Sequence, residues 1–331
     1  MVTRSEREFQ TRGAGRASPG RSNSLPAATL PHPSYAQRLY SLDASPRMTR
    51  PKTALIVEGG GMRGAWAAGA LAALREIQHD PFDLVVAVSS GACSAAYFVA
   101  DVFERGITIW TKWVCGGRVL HVSNWLRFRP LVDLGYLVDY CFRKFVPLPV
   151  EVFDHSPTRF EIVLTDCRTG QPVYFQPDSG SVLPSLKATA SLPFATRGYS
   201  FVHEIPYADG GLADPIPIHR AIELGATDIT VVLTHDANYR VSPIPRWLCR
   251  LAYPSFPETA AAWQASHLAL NRALDLIAAP PAGIRLRVVC PRRPLAVRMF
   301  SEATAVIRAA VGLGYKDAMS QLQSQPASHA G

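Results

Sequence analysis

Ala54 to Ser94 constrains the fold more than any other stretch, because it strings two strands, two tight turns and two helices together without a loop to spare. Ala54-Leu-Ile-Val57 is an apolar run of β-formers that breaks at Glu58 and enters Gly59-Gly60-Gly61-Met62-Arg63-Gly64. Ala65 to Gln78 is dominated by Ala and Leu, the pattern of a buried helix, and His79-Asp80-Pro81 stops it. Leu84 to Val88 reads as a second buried strand, runs straight into Ser89-Ser90-Gly91, and is followed by helix-prone Ala92 to Glu104. Strand, turn and helix repeated twice make a βαβα unit, whose strands lie parallel with both turns at the same sheet edge. The glycine turn and the serine turn are therefore predicted to be neighbours in space.

Adjacent glycines allow close backbone approach and positive φ, and a helix N-terminus attracts negative charge. Two anions suit such a turn: a phosphate, or the oxyanion of an acyl-transfer intermediate. Gly59, Gly61 and Gly64 satisfy G-x-G-x-x-G, but a dinucleotide site needs an acid near the end of the second strand. Asp83 precedes that strand, and Ser89 holds the position at its end. A phosphate-binding Walker loop needs Lys-Ser/Thr where this chain has Ala65-Trp66. A serine between a buried strand and a helix is instead the arrangement of a nucleophile elbow, G-x-S-x-G, written here Ala87-Val88-Ser89-Ser90-Gly91 with alanine for the first glycine. Ser90 and Ser94 are the neighbouring hydroxyls that could be mistaken for it. The base that a hydroxyl requires is offered by Asp209-Gly210-Gly211, which follows extended Ile205–Ala208. Asp-Gly is ordinarily a solvated turn, but prolines and apolar residues crowd this one, and desolvation makes a carboxylate more basic. His203 and His219 flank the turn and are the imidazoles that a triad would use; a structural or surface place is the ordinary fate of each.

The three stretches, in this order, resemble the patatin-like phospholipase family, marked by a GGGxRG turn, a G-x-S-x-G elbow and a D-G-G/A turn. Glu58, Thr165–Gly170 leading to Val173-Tyr-Phe175, Lys187–Ser191 with Pro193, and Asp214-Pro-Ile-Pro217 extend the resemblance over about residues 52 to 235. It implies a Ser-Asp dyad without catalytic histidine: Ser89 as nucleophile, Asp209 as general base, and an oxyanion hole in Gly59–Gly64 built on the backbone amides of Gly60 to Met62. Arg63 would brace the turn or attract a headgroup, and Ser191 would lie near the site in a turn role. Ala87 is the one departure in these motifs. A lipid or other acyl ester is the implied substrate, with no metal or organic cofactor. The expected fold is a three-layer α/β/α sandwich around a mostly parallel sheet. Three other readings stay open on the same residues: transfer of the acyl group to another alcohol, a non-catalytic lipid-binding protein, and a nucleotide-dependent oxidoreductase.

Of 331 residues, nearly half are hydrophobic, enough for one large α/β core. The net charge is +8, and the first fifty residues carry eight arginines against three acids. Residues 1–50 read as a disordered Arg/Ser/Pro-rich tail, or as residues upstream of a start at Met48; 51–323 as the catalytic domain; and 324–331 as a frayed end. No nucleic-acid motif appears. Six scattered cysteines without C-x-x-C spacing predict buried, reduced thiols and a cytoplasmic chain. Leu84–Ala100 approaches a membrane span in length, but Ser89-Ser90-Gly91 interrupts it. Between Ile107 and Phe145, Trp110, Trp113 and Trp125 alternate with Arg118, Arg127, Arg129, Arg143 and Lys144. Pro130 divides this segment, and Leu131–Phe142 reads as a helix; the segment either caps the sheet with helices whose tryptophans face inward or makes peripheral membrane contact as a lid. Further on, a hairpin is expected at Phe160–Thr165 and Val173–Phe175, a helix over Ser181–Ala190 ending before Pro193, and a strand at Ile229–Leu233. An irregular connection marked by Pro243, Pro245, Pro254 and Pro257 should lead to helices over Glu258–Ala279 and Ser301–Leu322.

Overall fold

β1 (Thr53–Val57) alternates strictly between two cores: Leu55 and Val57 face one apolar cluster, Ala54 and Ile56 the other. β2 (Leu84–Val88) does the same, with Val85 and Ala87 on the first face and Leu84, Val86 and Val88 on the second. Period-two burial on both faces is what a central strand between helical layers requires. The computed structural model describes residues 53–324 except 122, 125–128 and 237–238, so the tail expected over 1–50, Trp125, Arg127 and most of the expected frayed end lie outside the described residues.

The sheet runs β5-β6-β3-β2-β1-β7-β8, with β4 paired to β3 off that path. β3 is Arg159–Asp166, β4 Pro172–Phe175, β5 Ser200–Val202, β6 Ile205–Asp209, β7 Asp228–Val232 and β8 Arg285–Val289. β3, β2, β1, β7 and β8 are mutually parallel, and β4, β5 and β6 add antiparallel pairs at one side. On one layer lie α1 (Gly64–Ile77), α2 (Ser89–Val99) and α8 (Thr304–Ser324). On the other lie α5 (Ile218–Glu223) and α7 (Pro257–Ala278). The three-layer α/β/α architecture with a mostly parallel sheet is as the sequence predicts, including the β3–β4 hairpin.

One pairing detail creates the site. β4 covers one edge of β3 at Ile162–Thr165, so β2 and β6 must share the other edge end to end. β2 stops where Val88 meets Val163, and β6 arrives antiparallel with Asp209 opposite Leu164. The elbow after β2 and the turn after β6 therefore abut. α8 closes the first layer against α1 through two glycines: a Cβ on Gly69 would lie 2.0 Å from the Val311 carbonyl oxygen, and one on Gly314 would lie 2.0 Å from that of Trp66. Trp66 Nε1 donates to Asp317 Oδ2 beside that crossing.

Three local expectations are corrected. The helix expected over Ala92–Glu104 begins at Ser89 itself and breaks at Asp101, whose φ is 55°, before a short α3 (Phe103–Thr108). The helix expected over Leu131–Phe142 is a wider π-type coil, Tyr136–Phe145, and a second such coil spans Ile109–Val114. The proline-marked connection is not irregular throughout: Pro245 caps a helix, α6 (Arg246–Ala252). α4 (Val182–Thr189) falls as expected. All six cysteines are free thiols; five are buried as expected, and Cys290 is only half-buried. Among the described residues no helix is long and apolar enough to cross a membrane.

Candidate active site

Ser89 sits at the β2–α2 junction with φ 52°, a left-handed conformation that L-residues enter only under constraint. The constraint comes from both sides. Its amide donates to Thr189 Oγ1 at 2.9 Å, and that hydroxyl in turn donates to the Val163 carbonyl at 2.6 Å. On the other side, Gly91 passes so close to β1 that a Cβ there would lie 2.4 Å from the Glu58 carbonyl oxygen. Ala87 is wholly buried in the sheet, and the elbow conformation forms with alanine in place of the usual glycine. Among the described residues Ser90 Oγ is enclosed without a hydrogen-bond partner, and Ser94 Oγ accepts from Trp110 Nε1, so neither neighbouring hydroxyl meets a carboxylate there.

Ser89 Oγ donates to Asp209 Oδ2 at 2.7 Å. The other carboxylate oxygen of Asp209 accepts from the Gly211 amide at 2.8 Å, its own amide donates to the Ser191 carbonyl, and its carbonyl accepts from Thr165 Oγ1. Asp209 is thus held at four points and is 2% exposed. Burial pushes its carboxyl up from 3.8 to about 7, against the lowering pull of the Ser89 and Gly211 hydrogen bonds. Gly210 has no space for a side chain, since a Cβ would lie 2.1 Å from the Val163 carbonyl oxygen.

The glycine turn lies against the same serine. A Cβ on Gly59 would come 2.8 Å from Ser89 Cβ, and Gly61 takes φ 58°. Met62 N–H donates to the Met299 carbonyl at 3.1 Å. Within the expected cradle of Gly60 to Met62, the Met62 amide is thus already engaged, and the amides of Gly60 and Gly61 are those without a protein acceptor among the described residues. Arg63 follows in a 3-10 turn, its amide bonded to the Gly60 carbonyl, before α1 starts at Gly64.

Glu58 has a structural task that no local motif announces. Its carboxylate accepts from the Thr234 amide at 2.6 Å, and lies 3.2 Å from the Thr234 hydroxyl oxygen and 2.9 Å from His235 Nδ1. Thr234 Oγ1 also donates to the Gly59 carbonyl at 2.6 Å. The end of β7 therefore clamps the entrance of the glycine turn. Only the β1–β7 pairing brings these residues together; no local motif carries the signal. His219 is elsewhere, 2.9 Å from the Tyr174 hydroxyl and 3.7 Å from Asp214 Oδ2. His203 lies in the β5–β6 turn with its ring near Phe175. Ser191 Oγ bonds the Lys187 carbonyl and the Ser200 hydroxyl, consistent with the turn role expected of it.

Two cavities meet at Ser89. One, about 740 Å³ including its open mouth, is walled by apolar side chains such as Tyr97, Trp110, Val119, Leu134 and Phe142. The other, about 800 Å³, is more polar and holds Asp209, Glu58, Arg63, His235 and Trp263. The segment Ile107–Phe145 supplies much of the apolar wall. Trp110 points inward and is buried, whereas Trp113 stacks on half-exposed Phe145 with ring centroids 4.3 Å apart.

Comparison with known proteins places these elements. The chain is 26% identical over 255 residues to the uncharacterized protein YjjU of Escherichia coli (strain K12), a match that spans 74% of this chain and 70% of that protein. The crystal structure of VipD from Legionella pneumophila superposes with a TM-score of 0.43 at 13% identity, over 83% of this chain and 67% of that one. Residues 256–328, comprising α7, β8 and α8, match a domain of unknown function, DUF6363. Residues 55–222 match the family model described as patatin-like phospholipase, and that span contains the glycine turn, the Ser89 elbow and the Asp209 turn. The chain belongs to the patatin-like phospholipase family.

Proposed function

We propose that the chain hydrolyses carboxylic esters of lipids, a phospholipase A- or esterase-type reaction, through a Ser89–Asp209 dyad. The observation that carries this reading is the 2.7 Å hydrogen bond between the Ser89 hydroxyl and the Asp209 carboxylate, made at a left-handed elbow. Asp209 takes the proton from Ser89 as Oγ attacks the acyl carbonyl carbon. The carbonyl oxygen becomes an oxyanion, stabilised by the amides of Gly60 and Gly61. Collapse breaks the ester C–O bond, and the proton on Asp209 passes to the departing alkoxide. Water, giving its proton to Asp209, then attacks the acyl-serine. Collapse returns the proton to Ser89 and releases the fatty acid. A base with a pKa near the working pH suits this two-way traffic.

The two cavities divide the substrate. The apolar one accepts the acyl chain, and the polar one, with Arg63 and His235 in its wall, accepts the alcohol or headgroup side. Labelling with a fluorophosphonate tests the reading: the label should map to Ser89 and vanish in Asp209→Asn. An unlabelled protein with an intact fold would leave a lipid-binding role instead.

A further inference from the structure

The most exposed large apolar side chains among the described residues are not on the Ile107–Phe145 segment but on α6. Trp247 is 67% and Leu251 62% exposed, against 49% for Tyr140 and 43% for Phe145. Trp247 and Leu251 stand four apart on a helix and so share one face. The opposite face carries buried Cys249, which anchors α6 in an apolar cluster with Leu212, Ala208 and Tyr253. Tyr253, just beyond the helix, donates to the Gly198 carbonyl and fixes its end. α6 is therefore a firmly seated helix with a bare apolar outer face.

The two faces compete for one role, and their packing separates them. The rings of the Ile107–Phe145 segment satisfy one another: Trp113 lies on Phe145, Tyr136 on Tyr140, with Lys112, Arg118 and Lys144 over the rings. Trp247 makes no ring pair and Leu251 joins no apolar cluster among the described residues. Arg246 and Arg250 flank them, both exposed and both without an ion-pair partner among the described residues. The arginine-rich first fifty residues share that charge and are a poor electrostatic match for this face. An anionic lipid surface matches all four side chains, with rings at the headgroup level and guanidinium groups on phosphates. Position agrees as well. Trp263 packs against the cluster that seats α6, its ring 6.4 Å from that of Tyr253, and Trp263 is in the wall of the cavity that reaches Ser89 and Asp209.

We infer that the outer face of α6, through Trp247, Leu251, Arg246 and Arg250, docks the protein on an anionic bilayer beside the polar mouth of the site. The choice of lipid as occupant rests on the hydrolase reading, but binding is measured apart from turnover. The experiment sediments the full chain, in the Ser89→Ala background, with phosphatidylcholine vesicles and with phosphatidylcholine–phosphatidylglycerol vesicles. The anionic vesicles should be preferred. Arg246→Glu with Arg250→Glu should cut that affinity at least twentyfold, about fivefold for each cation lost. Trp247→Ser with Leu251→Ser should weaken binding to both vesicle types. Trp247→Phe should bind and lose the component of fluorescence that bromine-labelled lipids quench. Unchanged sedimentation of the Trp247/Leu251 pair would overturn the inference. So would loss of binding in Trp113→Ser with Tyr140→Ser alone, or a dimer of the parent chain that the α6 variants convert to monomer. Should Ser89→Ala hydrolyse esters, the hydrolase reading fails while the sedimentation result stands on its own.

Discussion

The Ser89 hydroxyl and the Asp209 carboxylate, 120 positions apart in the chain, lie 2.7 Å from one another because β2 and β6 end head to head on one edge of β3. A direct serine–carboxylate contact leaves no position for an intervening imidazole. Ser89→Ala and Asp209→Asn should each lower kcat on short-chain esters by a thousandfold or more, roughly the scale seen when one member of a catalytic unit is removed. His203→Ala and His219→Ala should each stay within about threefold of the parent, small against that scale. Steady-state kinetics on a soluble ester, with circular dichroism as the check on folding, decides between dyad and triad.

The elevated carboxyl of Asp209 sets a pH profile. Only the ionised form can accept the Ser89 proton, so kcat/KM should rise about tenfold per pH unit up to a bend near 7. An ordinary aspartate would bend near 4, and a bend below 5 would remove Asp209 as a desolvated base. The same shift has a stability sign. The folded-state value lies above the unfolded one, so this group's stabilising contribution is complete below about pH 4 and is lost as pH rises through 7. Asp209→Asn escapes that loss. Its unfolding free energy should exceed the parent's at pH 8, by on the order of 1–4 kcal/mol, and the gap should narrow on acidification.

Two glycines should fail differently on gaining a methyl group. At Gly59 the added Cβ would meet Ser89 Cβ at 2.8 Å, so Gly59→Ala should displace the nucleophile and cost roughly a hundredfold in kcat in a protein that still folds. At Gly210 the obstacle is the Val163 carbonyl oxygen at 2.1 Å, in the strand that templates the site. Gly210→Ala must move β3 or β6 and should lower thermal stability as well as activity. Melting curves beside kcat values separate the two outcomes.

How much of this is legible in the sequence depends on the range over which each signal acts. The glycine turn, the elbow and Asp209-Gly210-Gly211 are local patterns whose residue types follow from local sterics, and the βαβ rule alone made the first two neighbours. The Glu58–Thr234 clamp was out of reach, because it depends on β1 pairing with β7 across 176 positions. Ile109–Val114 and Tyr136–Phe145 lie where the sequence reads as helix, and local residue preference does not separate a π-type coil from an α-helix. α6 was hidden by the prolines around it, although a proline just before a short helix is compatible with its start. Met62 shows a further gap: a motif can nominate an amide as a donor, but only tertiary packing reveals that Met299 already accepts from it.

The clamp on the glycine turn makes its own prediction. Thr234 Oγ1 donates to the Gly59 carbonyl at 2.6 Å and touches the Glu58 carboxylate. Thr234→Val keeps the shape but removes the hydroxyl, leaving the part-buried Gly59 carbonyl without that donor at a cost of about 1 kcal/mol. The turn should loosen, and kcat should fall about tenfold, with KM little changed because the residue acts through the turn and not on the acyl chain. Thr234→Ser restores the hydroxyl and should recover most of the rate. Equal losses in Val and Ser variants would mean that the methyl packing, not the hydrogen bond, holds the turn.

The apolar cavity should act as a gauge of acyl length. Leu134 is buried in its wall, on the segment that separates the cavity from solvent. Leu134→Phe and Leu134→Trp add successively more volume to that wall, so the space left for methylenes shrinks in two steps. Each buried methylene is worth about 0.8 kcal/mol, so excluding even two of them should cost roughly tenfold in kcat/KM for a long ester. Butyrate esters, which end near Ser89, should be hydrolysed at close to the parental rate by both variants. Across a p-nitrophenyl ester series from butyrate to palmitate, the optimum should move to shorter chains in the order Leu, Phe, Trp. If all three proteins keep the same optimum, the acyl chain does not enter this cavity, and the division of substrate between the two pockets must be reversed.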